Sequence, residues 1–257
     1  MLNILRADIY KAVRSPLFWC TFGLVELFLV STAYGQFSYY ALVVLTNNPE
    51  IIPPSADGIP DFFNVLCFLL HETIFLLGSF AVMFAVNEFS HGTIKNIASK
   101  GYRRAYIYLS KFITAIGFAV FSLVLQVLTA FVIAKIVIKN TIPNYFELNN
   151  DSAKELGFTF LKIVAYLSIA IFLAFLIRSS GPAIGSFLGF FFLKEMFINQ
   201  IDNFIYNVLH SEFSIKPYTI YYSFNPEKIS QGIIVLCTYI LVFTCIGIYN
   251  FRKRDIN

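Results

Sequence analysis

Few side chains in this sequence have the types and spacing that active sites need. His71-Glu72 begins a His-Glu-x-x-His zinc motif but lacks the second histidine. The four cysteines form no Cys-x-x-Cys pair. There is also no Gly-x-x-x-x-Gly-Lys-Ser/Thr loop to hold nucleotide phosphates. We therefore expect no catalytic residue, no metal site and no bound cofactor in this chain.

The other side chains that could have a function are ionisable residues inside apolar stretches. Glu26, His71 and Glu72 lie inside long apolar runs, where an ionisable side chain is costly in lipid and usually faces a partner or a wet cavity. At 1.5 Å of rise per helical residue, all three fall near the middle of a membrane. Two interpretations stay open: the three residues line a translocation path, or they form a structural polar clamp between neighbouring spans.

The most heavily charged segment between the long apolar runs is residues 87–111. It carries Glu88, Lys95, Arg104 and Lys111 and separates two long apolar runs. Within it, 92–99 can form about two helical turns, with Ser90 as cap and Gly101 as stop. Two hypotheses remain for this segment: a short helix that docks on a partner, or a solvated basic loop that only sets topology.

The elements that must position these residues are membrane helices. Apolar residues make up 58% of the chain and charged residues 13%, and the mean hydropathy is +0.70, outside the usual range of soluble domains. About 20 apolar residues are needed per span. Six stretches qualify and leave little room for a soluble domain, so we predict an all-α integral membrane protein with a single domain over 1–257. The spans are 16–35, 62–86, 112–138, 157–177, 181–198 and 232–249.

Basic residues predict the orientation, because cytoplasmic loops are enriched in Lys and Arg. They cluster at the amino end, in the segment 87–111, after span four and at the carboxyl end, whereas the first outer loop has none. Both termini are therefore expected in the cytosol. This asymmetry accounts for the net charge of +4, so a nucleic-acid partner has little support. Residues 1–15 have amphipathic spacing and are expected to form an interfacial helix.

These features together resemble the membrane subunits of ABC transporters of the ABC-2 type. In that family a Glu at the end of span two is followed by Gly-Thr, a basic residue, an Arg and a Lys that leads into span three. The matching residues are Glu88, Gly92, Thr93, Lys95, Arg104 and Lys111, and Phe251-Arg-Lys-Arg-Asp255 matches a Phe-x-x-x-Asp tail that is common there. The resemblance covers the whole chain, including the number of spans and the amino-terminal helix.

The resemblance implies a permease subunit of the bacterial plasma membrane. It would pair with a second copy or a related permease and with separate cytosolic ATPase subunits, which bind ATP and Mg²⁺. The helix in 87–111 would couple to the ATPase, through Glu88, Gly92, Thr93, Ile94, Lys95, Ile97 and Arg104. Small subunits of this type resemble exporters of amphipathic peptides, bacteriocins or hydrophobic antibiotics, often for immunity or resistance. A channel or secondary transporter that works without an ATPase is the alternative, and an intramembrane enzyme is the weakest reading.

Span five carries a stripe of small residues. Gly181, Gly185 and Gly189 recur at every fourth position, which lets another helix approach closely. The stripe predicts either helix packing within one subunit or the contact between two subunits in a dimer.

Overall fold

The computed structural model describes residues 2–46, 61–90, 93–138, 145–209, 218–220, 224 and 226–253, and in these ranges it contains helices and no strand. A short 3-10 turn at Pro226–Lys228 precedes the last helix. The helices are α1 (Leu2–Arg14), α2 (Pro16–Thr46), α3 (Phe62–Glu72), α4 (Ile74–Ser90), α5 (Thr93–Ser99), α6 (Arg104–Val137), α7 (Asn150–Ile177), α8 (Ser180–Leu209) and α9 (Ile229–Lys253).

Among the residues that the structure describes, five helical segments are long and apolar enough to cross a membrane, and α3 and α4 together make one of them. A sixth is α8, if its two parts, Ser180–Lys194 and Met196–Ile205, count as one span with a bend of 44°. Large apolar side chains remain exposed on these helices, including Leu27, Ile136 and Ile234. Such surfaces are stable in lipid and unstable in water, so the chain is a multi-pass helical membrane protein.

The helices are longer than the apolar stretches that predict them. Helix α2 continues to Thr46, and α6 begins at Arg104 instead of near residue 112. Helical hydrogen bonds satisfy the backbone beyond the hydrocarbon layer as well, so a helix does not stop where hydropathy falls. For the same reason α8 continues past the predicted span 181–198 and includes Ile201 and Phe204.

Helix α7 lies at the centre of the bundle and contacts α3, α4, α6, α8 and α9. Small side chains such as Ala165, Ala170 and Ala174 are fully buried along it, which permits this close packing. A larger core surrounds α7 and includes Phe80, Phe118 and Phe175. A second core, with Phe37, Phe62 and Tyr145, joins α2, α3 and α6 at the opposite end.

Candidate functional site

A buried cluster of charged side chains lies where the polar segment 87–111 meets the amino-terminal helix. The ammonium group of Lys111 on α6 lies 2.5 Å from Oδ1 of Asp8 on α1 and 2.6 Å from Oε2 of Glu88 on α4. Asp8 and Lys111 are fully buried, and Glu88 is nearly so. The contact with Asp8 is a hydrogen bond, whereas that with Glu88 is an ion pair without hydrogen-bond alignment. One lysine therefore joins three helices.

Lys11 balances the charge of this cluster. Its ammonium group lies 3.5 Å from Glu88 Oε1, and its side chain is partly exposed. Two carboxylates then face two ammonium groups, and Lys111 also lies 5.1 Å above the ring of Phe84. Buried charges are tolerated when they are paired, because the attraction offsets their desolvation. Asp8 Oδ2 is buried and has no hydrogen-bond partner among the described residues.

Asp8 faces the bundle because it lies on the buried face of α1. Ile4, Asp8 and Ala12 are four residues apart and share the buried face, whereas Ile9 and Val13 are exposed. The apolar pattern predicts an interfacial helix. It does not predict that Asp8 is buried, because a charged residue only interrupts such a pattern. The sequence nevertheless indicated that Asp8 is buried, since it lies midway between Ile4 and Ala12 on the same face of the helix.

The short helix predicted in the polar segment is α5, over Thr93–Ser99. Gly101 follows in the left-handed conformation with φ +80, as expected for a glycine that stops a helix. Ile94 is buried, and Ile97 packs against the larger core. These two side chains attach α5 to its own bundle and leave Ser99 and Lys100 exposed. Gly92 and the side chain of Lys95 lie outside the described part of the chain.

Arg104 joins the polar segment to the carboxyl end. Its Nη1 donates to the backbone oxygens of Arg252, at 2.9 Å, and Phe251, at 3.4 Å. The Phe251 ring is buried against Phe89 and Phe175. Arg178, in the turn after α7, lies 5.4 Å above the Phe89 ring. The four basic segments therefore meet at one end of the bundle, as their expected shared side of the membrane requires.

The three candidate residues for a translocation path do not form one cluster in the described structure. Glu26 accepts a hydrogen bond from Thr129 on α6 at 3.0 Å, and its other carboxylate oxygen is buried without a partner. His71 and Glu72 lie at the end of α3, before the break at Thr73, and the His71 ring approaches Phe191 of α8. No hydrogen bond or ion pair links Glu26 to His71 or Glu72.

The glycine stripe on α8 has no close neighbour in the part of the chain that the structure describes. A Cβ added at Gly181, Gly185 or Gly189 would have no neighbour within 4 Å among the described atoms. Close helix packing occurs instead at Gly78, where a Cβ would overlap the ring of Phe187, and at Gly247, where it would overlap Tyr108. The packing interpretation of the stripe therefore finds no support inside the subunit, and the contact between two subunits stays a prediction.

Comparison with known families adds a family without a described activity. No curated protein matches the chain. A family model described as "Protein of unknown function (DUF2705)" matches residues 17–257, from the second residue of α2 onward, and leaves α1 outside. Since the match covers nearly the whole chain, this protein belongs to the DUF2705 family.

Proposed function

We propose that this chain is the membrane subunit of an ATP-driven exporter of the ABC-2 type. One observation carries the proposal: Glu88 and Lys111, the first and last residues of the motif in 87–111, lie 2.6 Å apart and bracket a short helix. The motif is thus a closed structural unit at the end of the bundle where both terminal helices lie.

This arrangement suits a transmission element. Any displacement of α5 acts on Ile94 and Ile97, which pack against the core, and on the two ends of the segment. Glu88 and Lys111 hold those ends to each other and to α1, while Arg104 holds α6 to the end of α9. A force on α5 would therefore move α1, α4, α6 and α9 together. In this proposal Glu88, Ile94, Ile97 and Arg104 position the coupling helix, and Ser99 and Lys100 face the ATPase.

The working unit would contain two membrane subunits and two cytosolic ATPase subunits, with both termini of this chain in the cytosol. The substrate class is an amphipathic or hydrophobic compound, such as a peptide, a bacteriocin or an antibiotic. Glu26, His71 and Glu72 are candidates for the translocation path, although the separate surroundings of Glu26 favour individual roles over a shared clamp.

The test is co-expression with a candidate ABC ATPase, followed by affinity purification through this chain and measurement of ATP hydrolysis. We expect copurification, and hydrolysis that rises with a transported peptide or antibiotic. Lys100→Glu together with Ser99→Trp should abolish copurification, because both side chains are exposed, Ser99 as the last residue of α5 and Lys100 directly after it. Lys154→Glu, an exposed lysine near the other end of the bundle, is the matched control and should have no effect.

Two results would contradict the proposal. One is transport by the purified chain in vesicles that lack both ATP and an ATPase, which would establish a channel or secondary transporter. The other is normal copurification by the Ser99 and Lys100 variant together with normal coupled transport, which would exclude α5 as the contact.

A further inference from the structure

An apolar groove lies between the amino-terminal helix and the two helices on which it packs, α2 and α6. It has a volume of about 460 Å³ and lies between α1, α2 and α6. Ile9 and Val13 line it from α1, Trp19 from α2, and Gly117 and Phe121 from α6. The volume lies within the range of small-molecule sites, about 300–1,000 Å³. Its lining is almost entirely carbon, so a polar solute would lose its hydration there without compensation.

The groove opens on the membrane surface of the protein. Ile9, Val13, Trp19 and Phe121 are each more than 40% exposed, in a chain whose spanning helices expose apolar side chains to lipid. The Trp19 indole donates a hydrogen bond to the backbone oxygen of Val13 at 2.9 Å and so ties α2 to α1. Tryptophan prefers the boundary between headgroups and hydrocarbon, where its ring is apolar and its N–H finds an acceptor. The groove therefore lies at that boundary.

Two arginines lie on α1 next to residues that line the groove, although they are not part of its lining. Arg6 precedes Tyr10 by four residues and Arg14 follows it by four, so the three form a stripe beside Ile9 and Val13. Both arginines are exposed, and the Arg14 guanidinium lies 4.6 Å above the Tyr10 ring. Neither makes an ion pair with a carboxylate in the described structure. Guanidinium groups bind phosphate oxygens well, and in pairs of hydrogen bonds.

We propose that the groove binds an acyl chain of an anionic glycerophospholipid, with the lipid phosphate at Arg6 and Arg14. The apolar lining selects the hydrocarbon chain, and the position at the membrane boundary makes lipid the most abundant apolar compound there. The arginine stripe selects a negative headgroup over a zwitterionic one, because cations near the membrane surface attract anionic lipids. The site does not depend on the transport proposal. Lipid bound there would hold α1 against α2 and α6, next to the ion pair of Asp8 with Lys111.

Trp19 allows a direct test, because it is the one tryptophan in the sequence. The chain is reconstituted in phosphatidylcholine vesicles with increasing fractions of phosphatidylglycerol, and one of the two lipids carries bromine on its acyl chains as a quencher. We expect brominated phosphatidylglycerol to quench Trp19 more than brominated phosphatidylcholine at equal mole fraction, and to saturate. Replacing Arg6 and Arg14 by Gln should remove this preference, with a loss of relative affinity of about fivefold per arginine.

A groove-filling variant separates bound lipid from surrounding lipid. A Cβ at Gly117 would meet nothing within 4 Å, so Gly117→Leu can fill the groove without disturbing the fold, and it should weaken quenching by both lipids. Gly35→Leu, also open and on α2, is the control and should quench as the parent does. Retained thermal unfolding midpoints confirm that the variants fold. Equal quenching by the two lipids, no effect of Gly117→Leu, or weak quenching throughout because a second copy covers the groove would each overturn the proposal.

Discussion

At the scale of single residues, the decisive feature is that Lys111 is buried between two carboxylates. An ammonium group in apolar surroundings loses its hydration, and only close opposite charge makes its burial tolerable. Asp8 and Glu88 provide that charge from helices on either side. Because each member needs the others, the cost of removing one depends on which charges are left behind.

Lys111→Met should therefore destabilise the protein strongly. Two buried carboxylates would face only the partly exposed Lys11, and breaking a buried ion pair typically costs about 3–5 kcal/mol. Thermal unfolding in detergent measures the loss. Adding Asp8→Asn and Glu88→Gln should recover most of it, because no uncompensated charge then remains.

The matched control for Lys111 is Lys154, whose ion pair with Asp151 is exposed. Lys154→Met should cost less than about 1 kcal/mol, since water replaces the lost partner. Similar unfolding temperatures for the Lys111 and Lys154 variants would mean that the cluster contributes little.

At the scale of helices, the bundle depends on a few places where one helix approaches another closely. Phe187 on α8 occupies the space beside Gly78 on α4, and Tyr108 on α6 occupies that beside Gly247 on α9. Both aromatic side chains are fully buried, in an interior where close packing leaves little space for a shift.

Gly78→Ala should lower stability by about 1–3 kcal/mol, because a single methyl group would overlap the Phe187 ring. Gly185→Ala, where the new Cβ meets nothing within 4 Å, should be neutral or slightly stabilising. The comparison is made by thermal unfolding, and a second change, Phe187→Leu, should partly rescue Gly78→Ala. If Gly78→Ala were as stable as Gly185→Ala, the Phe187 ring would not pack tightly against Gly78, and the close contact between α4 and α8 would be wrong.

At the scale of the whole molecule, the basic segments collect at one end of the bundle. Asp8 with Lys111, and Arg104 with the end of α9, bring the two terminal helices and the segment 87–111 together. Lys and Arg are retained on the cytoplasmic side during insertion, so this end is expected in the cytosol.

Labelling of single cysteines tests that orientation. In a background without Cys20, Cys67, Cys237 and Cys245, a membrane-impermeant maleimide should label Asn150→Cys on intact cells. Ser99→Cys should react only after the membrane is permeabilised. The reverse pattern would invert the proposed topology and remove α5 from the cytosol.

The exposed glycine stripe on α8 leads to a prediction about assembly. Gly185→Leu should disrupt pairing of two subunits while leaving the unfolding temperature unchanged, because a Cβ at this position would meet none of the described atoms within 4 Å. Cross-linking in the membrane measures the pairing. Gly157→Leu, on α7 and also open, should pair normally. Normal pairing of Gly185→Leu would place any subunit contact elsewhere.

Features that depend on neighbours along the chain can be predicted from the sequence. Stretches of about 20 apolar residues predict the spanning helices, and Gly101 predicts the end of α5. The contacts between buried charges became visible only once the helices were packed together. Asp8 and Lys111 are separated by 103 positions, and no periodicity reports a contact between helices so far apart. The separation of Glu26 from His71 and Glu72, the inward direction of Ile94 and the open glycine stripe likewise follow from which helix faces pack together.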